Sequence, residues 1–196
     1  WSLLTMYLGN FIKKLDKKYQ NIYFSGIAFN STQVKKNYIF FAIKGNKFDG
    51  NNYIQDAIQK GAKIIISEKN INFQDKDVIY LKHKNPRKLL AELSYKFIKR
   101  NVKKLIAVTG TNGKSSVADF YYQILNLKKK KVASIGTIGV KSQNNKREIK
   151  NTTLNPIELS KIINGISLKK INHIILEASS HGLKQNRLDG LLFDIG

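Results

Sequence analysis

An apolar run from Leu105 to Val108 breaks on two closely spaced glycines and gives way, from Lys114 onward, to helical spacing. The segment Gly110-Thr111-Asn112-Gly113-Lys114-Ser115-Ser116 therefore lies between a buried strand and a helix. Strand, glycine loop and helix in that order make a phosphate cradle. The glycines let the backbone approach an anion, the first-turn amides point at it, and the helix dipole adds a favourable partial charge. In such a cradle Lys114 reaches the outer phosphates and Ser115 offers its hydroxyl to the accompanying magnesium ion. The loop is a short variant of the Walker pattern, with two residues between Gly110 and Gly113 where the standard motif has four. A chance G-x-x-G-K-[ST] match in a chain this long has a probability under about one per cent. A tight turn with a solvated lysine is the weaker reading once the flanking strand and helix are in place.

With 196 residues, 42% of them hydrophobic, the chain can bury a core in one or two domains. Its apolar runs, such as Tyr38 to Ile43, have strand length, so no membrane span is expected. Trp1 to Ile12 lacks the basic start and cleavage site of a signal peptide, and Met6 is the expected natural start. There is no cysteine, so disulfides and thiolate metal sites are excluded and the cytoplasm is the default location. The net charge of +22 raises nucleic acid as a partner. Against it, the only arginines are Arg87, Arg100, Arg147 and Arg187, the lysines spread over helix surfaces, and the one block, Lys128 to Lys131, falls at a helix C-terminus. No nucleic-acid partner is expected.

Ile22 to Phe29, Tyr38 to Ile43, Lys63 to Ser67 and Asp77 to Leu81 read as short strands. Tyr53 to Lys60 reads as a helix closed by Gly61, and Asn85-Pro86 starts a second that ends near Arg100. The first domain, residues 1–102, is thus a small α/β unit with its boundary near Asn101 to Lys103. In residues 103–196 a helix from Lys114 to about Leu127 precedes a strand over Val132 to Ser134, then an exposed loop across Lys141 to Lys150. Asn155-Pro156 opens another helix, His173 to Glu177 is a strand, and Phe193 to Gly196 starts a further one. This second domain reads as an incomplete doubly wound parallel sheet of the P-loop type. At its carboxyl edge Glu177 could share a crevice with the glycine loop, or be an exposed charge or a helix cap.

Several motifs together resemble the Mur ligase family, of the type that makes UDP-N-acetylmuramoyl-tripeptide. Gly110 to Ser116 matches the family's ATP loop, Gly136-Thr137 its following turn and Asn151-Thr152-Thr153 its substrate threonine motif. Glu177-Ala178-Ser179-Ser180-His181-Gly182-Leu183, followed by Gln185 and Arg187, matches the block that separates this type from its sister ligases. Asn30-Ser31 and Ile43 to Gly50 resemble the uridine-binding segments, although Thr32 stands where the family usually has arginine.

The resemblance implies ATP-dependent amide bond formation on UDP-MurNAc-L-Ala-D-Glu, with ATP and magnesium as cofactors and diaminopimelate or lysine as the incoming amino acid. Gly110, Thr111, Asn112, Gly113, Lys114, Ser115 and Ser116 would hold ATP, with Lys114 and Glu177 as catalytic residues and Ser115 and Glu177 on the metal. Asn151, Thr152, Thr153, Ser179, Gln185 and Arg187 would contact the muramoyl-dipeptide, where hydroxyls and amides suit sugar and peptide and arginine suits carboxylate or phosphate. Ser31, Asn46, Lys47 and Phe48 would line the uridine diphosphate site. Asn151 to Thr153 also fits an ordinary polar loop, Phe48 a core position, and His181, His83 and His173 packing roles.

The family's carbamylated lysine and C-terminal domain match nothing in these residues, so the 196-residue chain alone is expected to be inactive as a ligase. Neither a membrane nor nucleic acid is expected among its partners. The competing classes are a folylpolyglutamate synthetase, which shares the glycine loop, and a basic nucleic-acid-binding module.

Overall fold

Strands that stay apolar along their whole length belong in parallel sheets covered on both faces, and two sheets built around such strands, one all parallel and one mixed, organise this chain. A computed structural model describes residues 6–12, 15–46, 48–71, 75–98, 102–137, 139–142, 145–147 and 154–196. The chain divides into two compact units, Trp1–Lys96 and Phe97–Gly196.

In the first unit β1 (Gly26–Ala28), β2 (Tyr38–Ala42), β3 (Ala62–Ser67) and β4 (Ile79–Lys82) lie side by side in sequence order, all parallel. Helix α1 (Ile54–Gln59) sets Ile54 and Ala57 against Phe40 and Ile65 on one face. Ile39, Phe41, Ile64 and Ile66 alternate to the other face and are equally buried. Gly61 closes α1 with φ +96°, and a Cβ there would lie 2.9 Å from the Lys36 Cα, so both conformation and space demand glycine. Helix α2 (Pro86–Lys96) begins where Asn85 Oδ1 accepts the Lys88 N–H at 3.0 Å, and it buries Leu89, Leu90 and Leu93. It ends at Lys96, short of the expected Arg100, which lies outside the described residues. The strand expected over 22–29 contracts to β1, because Tyr23 instead makes an isolated antiparallel bridge with Tyr7.

The second unit runs β5 (Lys104–Val108), α3 (Lys114–Leu127), β6 (Val132–Gly136), β7 (Gly139–Ser142), β8 (Asn145–Arg147), α4 (Pro156–Leu168), β9 (His173–Glu177) and α5 (Ser180–Lys184). The sheet order is β5-β9-β6-β7-β8, with β5, β9 and β6 parallel and β7 and β8 antiparallel to their neighbours. The segment read as an exposed loop therefore carries two strands that extend the parallel sheet. Gly136 pairs with Gly139 and reverses the chain onto the free edge of β6. The crossovers β5-α3-β6 and β6-α4-β9 run in opposite directions across the sheet, so their right-handedness places α3 and α4 on opposite faces. Ile106, Ala118 and Ile175, with Val108 and Tyr121, form the core under α3. Asn155 caps α4 by accepting the Glu158 N–H at 3.0 Å, and α4 buries Ile157, Leu159, Ile163 and Ile166.

On the outer edge of β5 the expected strand is reduced to a short parallel pairing. Ile195 bridges to Ile106, Asp194 N–H donates to the Leu105 carbonyl at 2.8 Å and Ala107 N–H to the Ile195 carbonyl at 2.9 Å, while Leu105 N–H donates to the Asp194 carboxylate at 2.8 Å. Among the described residues no helix is long and apolar enough to cross a membrane.

Candidate active site

The neighbouring parallel strands β5 and β9 pair Val108 with Glu177, so both end at one edge of the sheet. Past Val108 the chain turns through Gly110 (φ +147°) and Gly113 (φ +80°) into α3. A Cβ at Gly113 would meet nothing within 4 Å, so backbone conformation, not space, requires glycine there. Gly113 is also the N-cap of α3 and provides no side-chain cap, which leaves the amides of the first turn available to an anion. The Lys114 ammonium folds back over the loop and donates to the carbonyls of Gly110 at 2.6 Å and Thr111 at 3.1 Å. Thr111, Asn112 and Ser116 are exposed around it.

Glu177 is only 2% exposed at the end of β9. One of its oxygens, Oε2, accepts the Ser115 hydroxyl at 2.9 Å and the Thr137 hydroxyl at 3.0 Å. A buried carboxylate needs such donors, so neither the exposed charge nor the helix cap describes Glu177. A Cβ at Gly136 would lie 2.0 Å from Glu177 Oε1, which ties the residue before Thr137 to glycine. The sequence singled out the Gly136-Thr137 turn by resemblance but did not place Thr137 in the site. Its signal was that motif, and its partner lies forty residues further along the chain.

A cavity of about 270 Å³ opens beside this carboxylate, lined by Ser115, Asp119, Ser134, Gly136, Gly139, Lys141 and Glu177. Asp119 stands one helical turn after Ser115 on the same face of α3. Its carboxylate meets Lys141 Nζ at 2.8 Å and also accepts from the Gln123 amide. Lys141, then Gln123, holds the Asp119 carboxyl below its ordinary value. Lys141 also lies over the Tyr122 ring, 4.5 Å from its centroid, so it fastens β7 to α3.

The donor set beside the loop suits magnesium. Ser115 and Glu177 present hard oxygens 2.9 Å apart with open volume beside them, and magnesium keeps several waters while taking one or two carboxylates and substrate phosphates. Among the described residues no group of three or more histidines, cysteines or acids forms a denser metal cluster.

Ser179 is the N-cap of α5 and accepts the Gly182 N–H at 3.1 Å. Gln185 Oε1 accepts from the Arg187 guanidinium at 2.7 and 3.0 Å, and Gln185 Nε2 lies 2.8 Å from a His181 ring nitrogen. His181 within α5 and Gln185 and Arg187 just after it therefore form one polar cluster. Asn151, Thr152 and Thr153 lie outside the described residues.

In the first unit, residues 44–46 and 48–49 are tied together by backbone contacts. Lys44 and Asp49 make an antiparallel bridge, Gly45 N–H donates to the Phe48 carbonyl at 2.7 Å, and the Arg87 guanidinium donates to the Lys44 carbonyl. Phe48 is 68% exposed, so the core role is excluded. Asn46 is exposed beside it, and Lys47 lies outside the described residues. Ser31 is buried, and its hydroxyl helps to hold the Asp56 carboxyl below its ordinary value, after the larger effect of Lys60. Thr32, in the position of the family arginine, donates its hydroxyl and its N–H to Asn30 Oδ1, both at 3.0 Å.

Comparison with known proteins assigns both units. The family model described as "Mur ligase family, catalytic domain" matches residues 23–98, and "Mur ligase middle domain" matches residues 108–196. The "UDP-N-acetylmuramoyl-L-alanyl-D-glutamate--2,6-diaminopimelate ligase" of Rickettsia prowazekii (strain Madrid E) is 40% identical over 178 residues, 89% of this chain and 37% of the relative. The protein of the same name from Brucella melitensis biotype 1 is 38% identical over 172 residues, 88% of this chain and 35% of the relative. A solved structure, also of a ligase so named, superposes with a TM-score of 0.76 at 26% identity, covering 90% of this chain and 36% of that one. The chain thus spans little more than a third of the length of the curated relatives it matches.

Proposed function

The chain belongs to the Mur ligase family, and from that premise we propose that it carries the substrate-binding and ATP-binding parts of a ligase acting on UDP-MurNAc-L-Ala-D-Glu in the cytoplasm. The observation that supports this most is the 2.9 Å contact between Ser115, at the start of the P-loop helix, and the buried Glu177. Oxygens from the first turn of α3 and from the end of β9 meet there, at a helix start that has no side-chain cap.

The reaction transfers the terminal phosphoryl group of ATP to the γ-carboxylate of D-glutamate, giving ADP and an acyl phosphate. The incoming amine then attacks the acyl carbon, the bond to phosphate oxygen breaks, and phosphate leaves as the nitrogen loses its proton. A carboxylate is a poor electrophile, and the phosphate supplies its leaving group. Phosphoryl transfer asks the protein mainly for positioning and charge neutralisation.

Gly110 to Ser116 surround the phosphates in this reading. The Lys114 ammonium leaves its two loop carbonyls for the outer phosphate oxygens. Ser115 and Glu177 would hold magnesium, which would supply charge neutralisation on the phosphates. Thr137 holds the Glu177 carboxylate through the same oxygen, Oε2, that Ser115 reaches.

Asn151, Thr152, Thr153, Ser179, Gln185 and Arg187 are assigned to the muramoyl-dipeptide. Ser31, Asn46, Lys47 and Phe48 are assigned to the uridine diphosphate, with Phe48 as an exposed face for the base and Thr32 making no phosphate contact of the arginine kind. The relatives' names make 2,6-diaminopimelate the proposed amino acid.

Thermal melting of the chain with UDP-MurNAc-L-Ala-D-Glu, UDP or folate tests the reading. A hundredfold excess over Kd stabilises by about 2.7 kcal/mol. The dipeptide nucleotide should raise the midpoint more than UDP, and folate should leave it unchanged. Stabilisation by folate, or by none of the three, contradicts the proposal.

A further inference from the structure

The two most exposed large apolar side chains among the described residues are Leu127 and Leu168, at 82% and 79%. Each is the last residue of a long helix, α3 and α4. Lysines follow directly, Lys128 to Lys131 after the first and Lys169 and Lys170 after the second. Backbone pairing brings the two segments to one edge. Asn172 and His173 donate to the Lys131 carbonyl at 3.1 and 3.3 Å, and Lys103 and Lys104 donate to the Asn172 carbonyl at 2.9 and 3.0 Å. Eight lysines, all exposed, therefore collect around the amino ends of β5, β6 and β9, at the opposite end of the sheet from Glu177. Asp194 at this edge accepts the Leu105 N–H.

We propose that this edge docks on the surface of an anionic lipid bilayer, with Leu127 and Leu168 set among the headgroups and the lysines against the lipid phosphates. Attraction of cations to a helix C-terminus explains a lysine or two in a last turn. It does not explain Lys103 and Lys104 at a strand start, or leucines left in water at the ends of both helices. A flat apolar boundary under a negative surface suits both features, since basic residues are drawn to anionic leaflets and apolar side chains anchor at the interface. Because α3 and α4 lie on opposite faces of the sheet, the leucines bracket the lysines, as end-on contact with a plane requires. Nucleic acid fits less well. It offers the leucines no apolar layer, and among the described residues the patch has none of the arginine forks or stacked aromatics that nucleic-acid sites use. The inference is independent of the ligase reading. It revises the expectation of no membrane partner, which rested on the lack of a spanning run.

Cosedimentation of the chain with vesicles tests it, using equal parts phosphatidylglycerol and phosphatidylcholine against phosphatidylcholine alone at physiological salt. Binding should be at least about tenfold tighter to the anionic vesicles, since each lysine near the surface contributes about fivefold. The triple variant Lys128→Gln, Lys131→Gln, Lys169→Gln, which avoids the left-handed Lys129 and Lys170, should lose about a hundredfold. The double variant Leu127→Ser, Leu168→Ser keeps every charge and should still lose about tenfold on vesicles, while its weak binding to duplex DNA stays unchanged. Equal binding to both vesicle types, undiminished binding by the leucine variant, or tighter binding to DNA than to anionic vesicles overturns the proposal.

Discussion

Gly136 and Glu177 stand so close that a Cβ at Gly136 would lie 2.0 Å from the carboxylate oxygen Oε1, 2.3 Å from its carbon and 2.5 Å from Cγ. The whole end of the glutamate occupies the space that any side chain at 136 would need. The hairpin of β6 and β7 and the end of β9 are thereby fitted to one rotamer of one buried acid.

Gly136→Ala therefore pushes Glu177 off Ser115 and Thr137. Overpacking of this kind costs about 1–3 kcal/mol. Urea unfolding should show a loss in that range, and titration calorimetry should show magnesium-dependent ATP binding weakened by at least about tenfold. An unchanged affinity would mean that the Glu177 position does not matter to the nucleotide.

His173 gives the second unit a pH dependence. Burial first, then Lys130, Lys103 and Lys104, depress its protonation below the ordinary value of 6.5. The unfolded chain then binds the proton more readily, so stability is fully present above about pH 6.5 and is lost as pH falls through the lower folded value. Denaturant midpoints between pH 8 and 5 should fall on the acid side, and His173→Gln should flatten that part of the curve.

The Asp119–Lys141 pair is half in water, with side chains 36% and 40% exposed. Such pairs contribute about 0–1 kcal/mol and weaken with salt. Asp119→Asn should cost no more than about 1 kcal/mol in dilute buffer. Repeating the unfolding in molar salt should shrink that difference, whereas a packing role would leave it unchanged.

Much of this arrangement was legible in the sequence because it rests on local chemistry. Helix α3 runs from Lys114 to Leu127 as its glycine start and apolar spacing foretold, and Asn85 and Asn155 cap the helices they announce. The meeting of Ser115 with Glu177 followed from two strands ending at one edge. Strands β7 and β8 were not legible, since their residues have neither alternation nor β-rich composition, and β7 forms by pairing with β6 and β8 by pairing with β7. For the same reason the role of Thr137, the crowding at Gly136 and the convergence of two lysine runs on Asn172 emerge only in three dimensions.

The most direct test is the magnesium dependence of ATP affinity in Glu177→Gln, measured by titration calorimetry with and without the metal. The amide keeps the shape of the side chain and an oxygen for the Ser115 and Thr137 hydroxyls, so the fold should persist while the charge is gone. The account predicts that magnesium tightens ATP binding by at least about tenfold in the unaltered chain, equivalent to about 1.4 kcal/mol, and makes little difference in the variant. An equal magnesium response in both would contradict it.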